Sequence, residues 1–138
     1  MNLSLIRHGY ILFLLSLLSA FFIPVLALPR LGLSAHTAGI MGAIMMVLAG
    51  IVWPHIKLTA GGSKAMCWSW LYAGYANWFG SLVGAVFGAG KTTPLAAAGA
   101  IGPQAAELAV LFLLGTVGIV SLVAVGLTLW GLRGGNAA

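Results

Sequence analysis

Residues 105–130 decide the fold of this chain, and they read AAELAVLFLLGTVGIVSLVAVGLTLW. Glu107 is the only charged side chain in this stretch. A helix rises about 1.5 Å per residue, so a run of this length crosses a hydrocarbon core about 30 Å thick. The stretch therefore predicts a transmembrane helix that begins close to a single carboxylate.

The rest of the composition agrees with a membrane protein. The chain is 62% hydrophobic and 5% charged, and its mean hydropathy is +1.12, whereas soluble domains carry about 25% charged residues. Three more apolar stretches are long enough to span a bilayer. The sequence predicts an all-α integral membrane protein, a single four-helix transmembrane bundle over residues 1–138. Its helices are expected at 7–28, 34–54, 65–88 and 104–132.

The first apolar stretch resembles a signal peptide, because Arg7 precedes it. Its apolar run is long for a signal peptide, and the residues at its end form a poor small-residue cleavage site. We therefore expect it to remain as a helix. Pro24 lies inside this stretch and should kink the helix or end it early.

The six basic residues predict the orientation and exclude one class of partner. Four lie on one side of the predicted spans and two on the other: Arg7, Lys57, Lys64 and Arg133 against Arg30 and Lys91. Because short cytoplasmic flanks are enriched in Lys and Arg, both termini are expected in the cytoplasm of a multi-pass inner-membrane protein. The basic residues never form a stripe, so a nucleic-acid partner is not expected.

Acid chemistry is almost absent from the sequence. The chain has no Asp, and Glu107 is its one acid. This lack of carboxylates excludes a Ser/His/Asp triad. In the first turn of the fourth helix, Glu107 would complement the helix dipole. A second interpretation gives it a functional role near the membrane face that also holds His36. Both interpretations remain open.

Three histidines are candidates for metal or haem ligands, because imidazole is a common ligand of both. His36 stands near the head of the second helix, where an ionisable group is costly, and Gly39 would let a flat cofactor approach. His8 and His55 fall at cytoplasmic helix ends. They either are solvated there or share one haem iron.

The third helix carries a cluster of aromatic and polar residues that runs from Trp68 to Phe79. Tyr72, Tyr75 and Phe79 follow helical spacing and should share one face. A phenol and an amide at depth in a membrane need hydrogen-bond partners. For Asn77, a bond to another helix and a contact with substrate are equally consistent with the sequence.

Three segments together resemble a known family: Arg7-His8-Gly9-Tyr10-Ile11-Leu12, His36 with Gly39, and Gly74-Tyr75-Ala76-Asn77-Trp78. They are similar to the hydroxylaminobenzene mutases, which in turn resemble the styrene oxide isomerases. The resemblance implies a small four-helix membrane enzyme. Its reaction would be the intramolecular rearrangement of hydroxylaminobenzene to 2-aminophenol, with no net redox change.

The isomerase relatives imply a homotrimer with haem b between subunits, in which His36 is the axial ligand and ferric iron acts as a Lewis acid. Gly39 and Trp78 would lie beside the cofactor. Three positions depart from the isomerase pattern: Gly42, Ala73 and Ser81 stand where those enzymes have Asn, Asp and Tyr. The departures favour an aromatic hydroxylamine over an epoxide as substrate.

The resemblance also suggests roles for other side chains. Asn77 and Tyr75 would hold the substrate, Trp78 or Phe79 would stack on its ring, and Glu107 is the remaining protein group for proton transfer. The apolar substrate would reach the site from the lipid bilayer.

Two non-enzymatic alternatives accompany this hypothesis. A haem-binding electron-transfer or membrane-anchor subunit would use His8 and His55 on one iron. A small multidrug transporter depends on a glutamate in its first helix, and residues 9–28 contain no acid.

Overall fold

The computed structural model describes residues 1–133, and this part of the chain is helical without a strand. The four long helices are α1 (Leu3–Ala20), α2 (Pro29–Val52), α3 (Ala60–Phe87) and α5 (Gln104–Leu132). A short helix, α4 (Pro94–Ala97), lies between the last two. The all-α prediction is confirmed. The last helix begins and ends where the sequence predicted.

The first helix is shorter than expected, and Pro24 explains why. α1 ends at Ala20, and Pro24 lies in a separate 3₁₀ turn, Ile23–Val25. The prediction that Pro24 would end the helix early is confirmed, whereas the expected end at residue 28 is wrong. α2 then begins at Pro29 instead of residue 34, because a proline is pre-organised for the first position of a helix.

The third helix begins earlier than predicted. Its N-cap is Thr59, whose hydroxyl accepts a hydrogen bond from the N–H of Gly62 at 3.2 Å. The cap places Gly61 and Gly62 inside the first turn, although these glycines look like a loop in the sequence. Gly88 ends the helix in the left-handed conformation with φ of 68°, a conformation that glycine adopts without steric cost.

The long helices lie side by side in the order α1, α2, α3, α5. The backbones approach closely between α1 and α2, between α2 and α3, and between α3 and α5, whereas α1 and α3 meet mainly through side chains such as those of His8 and Tyr75. The described part of the chain therefore forms an open row of antiparallel helices. At one end of the row, Asn2 N–H donates to the Gly50 carbonyl at 2.8 Å and Lys57 N–H to the Gly131 carbonyl at 2.8 Å.

Close packing joins the middle of the row. Leu5, Leu12 and Met46 form the centre of an apolar cluster between α1 and α2. The same cluster continues to α3, where Gly42 lies against Gly74: a Cβ built on Gly42 would lie 3.0 Å from the Gly74 Cα and 3.5 Å from Cδ2 of Leu12. Small residues at helix contacts are typical of membrane proteins, because they let backbones approach.

Within residues 1–133, three segments are long and apolar enough to cross a membrane: Leu3–Ala20, Pro29–His55 and Gln104–Leu132. α3 is not among them, because Tyr72, Tyr75 and Asn77 lower the hydropathy even of its most apolar part. α5 is the least covered of the three by the rest of the chain, with only 17% of its most apolar window buried. Side chains such as Phe112 and Leu122 on this helix suit contact with lipid.

Candidate functional site

His36 is held by a single hydrogen bond to the neighbouring helix. Its Nδ1 lies 2.7 Å from the main-chain carbonyl oxygen of Ser16 on α1. A carbonyl oxygen only accepts, so Nδ1 must carry the hydrogen, and the neutral ring then keeps its lone pair on Nε2. The half-buried ring can therefore bind a metal or accept a proton only through Nε2.

Gly39 lies one turn further along α2, where three helices meet. A Cβ built on this glycine would overlap the Ser16 Oγ and would lie 2.7 Å from Cδ1 of Trp78 on α3. The structure thus brings Ser16, His36, Gly39 and Trp78 together. The family resemblance had grouped three of them, His36, Gly39 and Trp78. Within one chain, Gly39 serves close packing, and its place beside a cofactor stays a prediction.

Trp78 presents a buried donor to this junction. Its indole Nε1 is buried and has no acceptor among the residues that the structure describes. The ring also lines an apolar groove of about 370 Å³ between α1 and α3, with Leu15, Phe22 and Leu82 among its walls. A buried N–H without a partner is unfavourable. The indole is therefore suited to bind an acceptor that arrives with a ligand.

Asn77 lies in a different cavity, which we name the Asn77 groove. It has a volume of about 400 Å³ and lies between α2 and α3, with one side chain from α5. Its polar lining consists of Ser34, Thr37, Asn77 and Ser121, and its apolar walls include Met41, Met45 and Trp70.

The Asn77 amide is the most versatile polar group of this groove. The Ser34 hydroxyl donates to the Arg30 carbonyl at 3.1 Å, and the Thr37 hydroxyl to the Leu33 carbonyl at 3.0 Å. These hydroxyls therefore offer only lone pairs to the groove. Within residues 1–133, no group hydrogen-bonds to the Asn77 amide. The bond to another helix that the sequence left open is absent from this part of the chain, and the amide can bind a ligand.

His36 and Asn77 are not brought together within one chain. The α2 residues that line the Asn77 groove include Ser34, Ala38 and Met41, which share one helix face. His36 is about half a turn away from that face and bonds to α1. A site that uses both side chains would have to include more than one copy of the chain.

Tyr75 also lies away from Asn77. Its hydroxyl donates to the His8 carbonyl at 3.2 Å and lies 3.2 Å from His8 Nδ1. The two rings pack edge to face with their centroids 5.9 Å apart. Tyr75 lines a separate aromatic pocket of about 300 Å³ with Trp68. The structure therefore pairs Tyr75 with α1 and not with the Asn77 groove.

Glu107 is fully engaged by the backbone of the preceding loop. Its side chain is only 7% exposed. One carboxylate oxygen accepts from Gly90 N–H at 3.0 Å and Gly102 N–H at 2.9 Å, and the other accepts from Lys91 N–H at 3.1 Å. Through these three hydrogen bonds the carboxylate holds the loop of residues 88–103 against the start of α5. Sequence reasoning placed Glu107 in the first turn but missed these three donors.

Two further observations bear on a metal centre. Within residues 1–133, no three His, Cys, Asp or Glu side chains come together in a way that could hold a metal ion. The donor set around His36 is one imidazole nitrogen, which fits a metal that brings its other ligands, as haem iron does. Sequence reasoning also missed Ser16, because a main-chain carbonyl partner leaves no signature in side-chain types.

The model of the styrene oxide isomerase family matches residues 1–133. This chain belongs to the styrene oxide isomerase family. It is 39% identical over 134 residues to hydroxylaminobenzene mutase HabB of Ectopseudomonas oleovorans, covering 96% of this chain and 82% of that protein. Hydroxylaminobenzene mutase HabA of the same organism is 37% identical over 98 residues, covering 70% and 73%. No solved structure matches the chain.

Membership of the styrene oxide isomerase family confirms the resemblance drawn from the three sequence segments. It also confirms the prediction of an enzyme of the intramolecular isomerase kind. The electron-transfer subunit and the transporter are correspondingly disfavoured.

Proposed function

We propose that the protein is a membrane isomerase that rearranges hydroxylaminobenzene to 2-aminophenol. The observation that carries this proposal is the 39% identity to a hydroxylaminobenzene mutase over 96% of the chain. Substrate and product are isomers. The N–O bond breaks, a C–O bond forms at the ortho carbon, and the proton lost from that carbon is balanced by one gained at nitrogen. No oxidant or second substrate is needed.

All four long helices cross the inner membrane in this proposal, with both termini on the cytoplasmic side. α3 has 28 residues, which corresponds to a length of about 42 Å and suffices for a span despite its polar groups. The backbone bonds from Asn2 to Gly50 and from Lys57 to Gly131 support a common side for these four positions. The residues after 133, including the C-terminus, lie outside the described part of the chain.

Haem b is the cofactor that we propose, with His36 Nε2 as its protein ligand. Nε2 of His36, the ring nitrogen that does not bond to Ser16, and the nearby buried Trp78 N–H fit a group that brings its own ligands and acceptors. When bound, ferric iron would supply Lewis acidity that polarises the hydroxylamino oxygen.

We propose that the active assembly is a homotrimer whose sites lie between subunits. The support is the placement of His36 and Asn77 on opposite sides of α2. A site that uses both takes His36 from one subunit and Asn77 from its neighbour. The open row of helices leaves both sides of α2 partly uncovered for such a contact.

The Asn77 groove is the proposed substrate site. Its volume of about 400 Å³ accommodates one substituted benzene ring. The Asn77 amide N–H would donate to the oxygen on which charge develops as the N–O bond breaks. Met41, Met45 and Trp70 would exclude water, so that the oxygen is transferred to the ring and not lost to solvent. Tyr75 and Glu107 have structural roles in this proposal, and proton transfer runs through the substrate or water.

The test uses the purified protein in detergent. We expect conversion of hydroxylaminobenzene to 2-aminophenol, measured by chromatography, with retention of an oxygen-isotope label from the substrate. The visible spectrum should show a Soret band that His36→Ala abolishes together with activity. His55→Ala is the matched control, because His55 is exposed at the other end of α2, and it should retain both.

Different failures have different meanings. A colourless protein with full activity would contradict the haem proposal and keep the mutase. An inactive protein whose spectrum depends on His8 and His55 would replace the mutase with the electron-transfer subunit.

A further inference from the structure

His36 shares its hydrogen-bond acceptor with a second side chain. The Ser16 carbonyl oxygen accepts from His36 Nδ1 at 2.7 Å and from the Ser19 hydroxyl at 2.7 Å. Ser16 is fully buried, and Ser19 is 6% exposed. Because Ser16 is fully buried, water cannot reach its carbonyl oxygen, and the two side-chain donors share that oxygen between them.

The sharing follows from the way α1 ends. The N–H groups of Phe21 and Phe22 donate to carbonyls three residues back, Leu18 at 3.3 Å and Ser19 at 3.2 Å. The chain thus tightens before the 3₁₀ turn that contains Pro24. Ser19 also donates three residues back, to Ser16. The last turn of α1 therefore presents one carbonyl to its own serine and to His36 of α2.

Two donors on one oxygen weaken each other, because both draw on the electron density of the same carbonyl. The strength of the Nδ1–H···O bond matters beyond this contact. A stronger bond to the far nitrogen of a ligating imidazole makes the near nitrogen a better electron donor to the metal. The Ser19 hydroxyl therefore limits how strongly His36 Nε2 can donate its electron pair to a metal.

We propose that Ser19 is a positioning residue that acts on His36 through the Ser16 carbonyl. It keeps the His36 Nδ1–H bond moderate, so that Nε2 is a weak donor. A metal with a weak axial donor is a stronger Lewis acid toward the hydroxylamino oxygen. The part of this inference that concerns iron rests on the proposed function, whereas the coupling of Ser19 to His36 does not.

The first test observes His36 directly and needs neither haem nor turnover. The full chain, with isotope-labelled histidine and prepared without haem, is studied in lipid bilayers by solid-state NMR. We expect His36 to carry its hydrogen on Nδ1. Ser19→Ala should move the Nδ1 proton resonance downfield, because the remaining bond becomes stronger. Ser19→Thr, which restores a hydroxyl, should return the resonance toward its original position.

Ser16→Ala is the matched control. The Ser16 hydroxyl donates to the Leu12 carbonyl at 2.7 Å, so the substitution removes a buried hydroxyl from the same helix but keeps the carbonyl that His36 uses. We expect the His36 resonance to stay in place. The His8 resonances, which report on the contact with Tyr75, should be unchanged in every variant that folds correctly.

The second test uses the haem-containing protein. Ser19→Ala should lower the reduction potential of the iron, because His36 becomes a stronger donor, and Ser19→Thr should restore it. An unchanged or upfield-shifted His36 proton in Ser19→Ala, or an equal shift in Ser16→Ala, would overturn the inference. A colourless protein that still shows the Ser19-dependent shift would overturn the haem proposal and leave the coupling intact.

Discussion

Glu107, in the first turn of α5, and His36, two turns into α2, lie toward the same end of the molecule, yet they form hydrogen bonds in opposite ways. Glu107 accepts hydrogen bonds from three backbone N–H groups through both of its oxygens. His36 makes one bond through Nδ1 and keeps Nε2 for another partner. Ionisable groups are rare in membrane helices. The comparison indicates that an ionisable group with an unused hydrogen-bonding atom is the better candidate for function, and that rarity alone does not identify it.

Removal of the His36 imidazole, and with it the unpaired Nε2, should have the largest effect on activity. We expect His36→Ala to lower kcat/KM by more than about 100-fold, since even the outer-shell partners of metal ligands contribute about 10- to 100-fold. In protein prepared without haem the thermal midpoint should change little, because only one hydrogen bond is lost. Turnover of hydroxylaminobenzene and thermal unfolding in detergent measure the two quantities. An active His36→Ala protein would remove the basis of the comparison.

Removal of the engaged carboxylate should have the reverse result. Glu107→Ala leaves the N–H groups of Gly90, Lys91 and Gly102 without their acceptor, so we expect a lower Tm. Glu107→Gln keeps one oxygen and should lower the Tm less. Activity per folded molecule should be retained in both. Gln104→Ala, one turn earlier and exposed, is the control. A Glu107→Gln protein with an unchanged Tm and lost turnover would identify Glu107 as a proton carrier instead.

The Asn77 amide, like Nε2 of His36, has no hydrogen-bond partner within residues 1–133. Its loss should therefore affect catalysis more than stability. We expect Asn77→Ala to lower kcat/KM roughly 5- to 10-fold, since a hydrogen bond contributes about 1 kcal/mol. Steady-state kinetics with hydroxylaminobenzene measure this loss. A lower Tm with unchanged kinetics would show instead that Asn77 bonds another helix in the assembled protein.

The smallest effect is expected for Tyr75, whose hydroxyl is engaged like the Glu107 carboxylate. Tyr75→Phe removes the bonds to His8 and should lower stability by about 0.5–1.5 kcal/mol with little change in turnover. Tyr72→Phe is the companion variant, because the Tyr72 hydroxyl lies 2.6 Å from Thr116 Oγ1 on α5. If Tyr75→Phe lost activity without loss of stability, the assignment of Tyr75 to structure would be wrong.

The sequence predicted the parts of the fold that depend on local apolar runs. The bounds of α5 match the prediction because residues 105–130 are apolar almost throughout. The early end of α1 followed from Pro24, but the position of that end did not, because it depends on the turn that Ile23–Val25 forms. The start of α3 was missed because the Thr59 cap outweighs two glycines.

The candidate site was predictable only where side-chain types carry the signal. His36, Gly39 and Trp78 stood out as unusual residues, and the structure brings them together. The hydrogen-bond acceptor of His36 is the main-chain carbonyl of Ser16. Every residue has such a carbonyl, so no pattern could select it. The contact between Tyr75 and His8 joins residues 67 positions apart and depends on how α1 packs against α3.

The open row of helices also bears on how the chain assembles in a bilayer. Each long helix finds its most extensive contacts with the long helix before or after it in the sequence. Contacts between neighbours in sequence form quickly, because short loops close at low entropic cost. As the chain emerges during synthesis, α2 can therefore dock on α1, α3 on α2, and α5 on α3, in the order in which they are made. No helix has to wait for a distant partner.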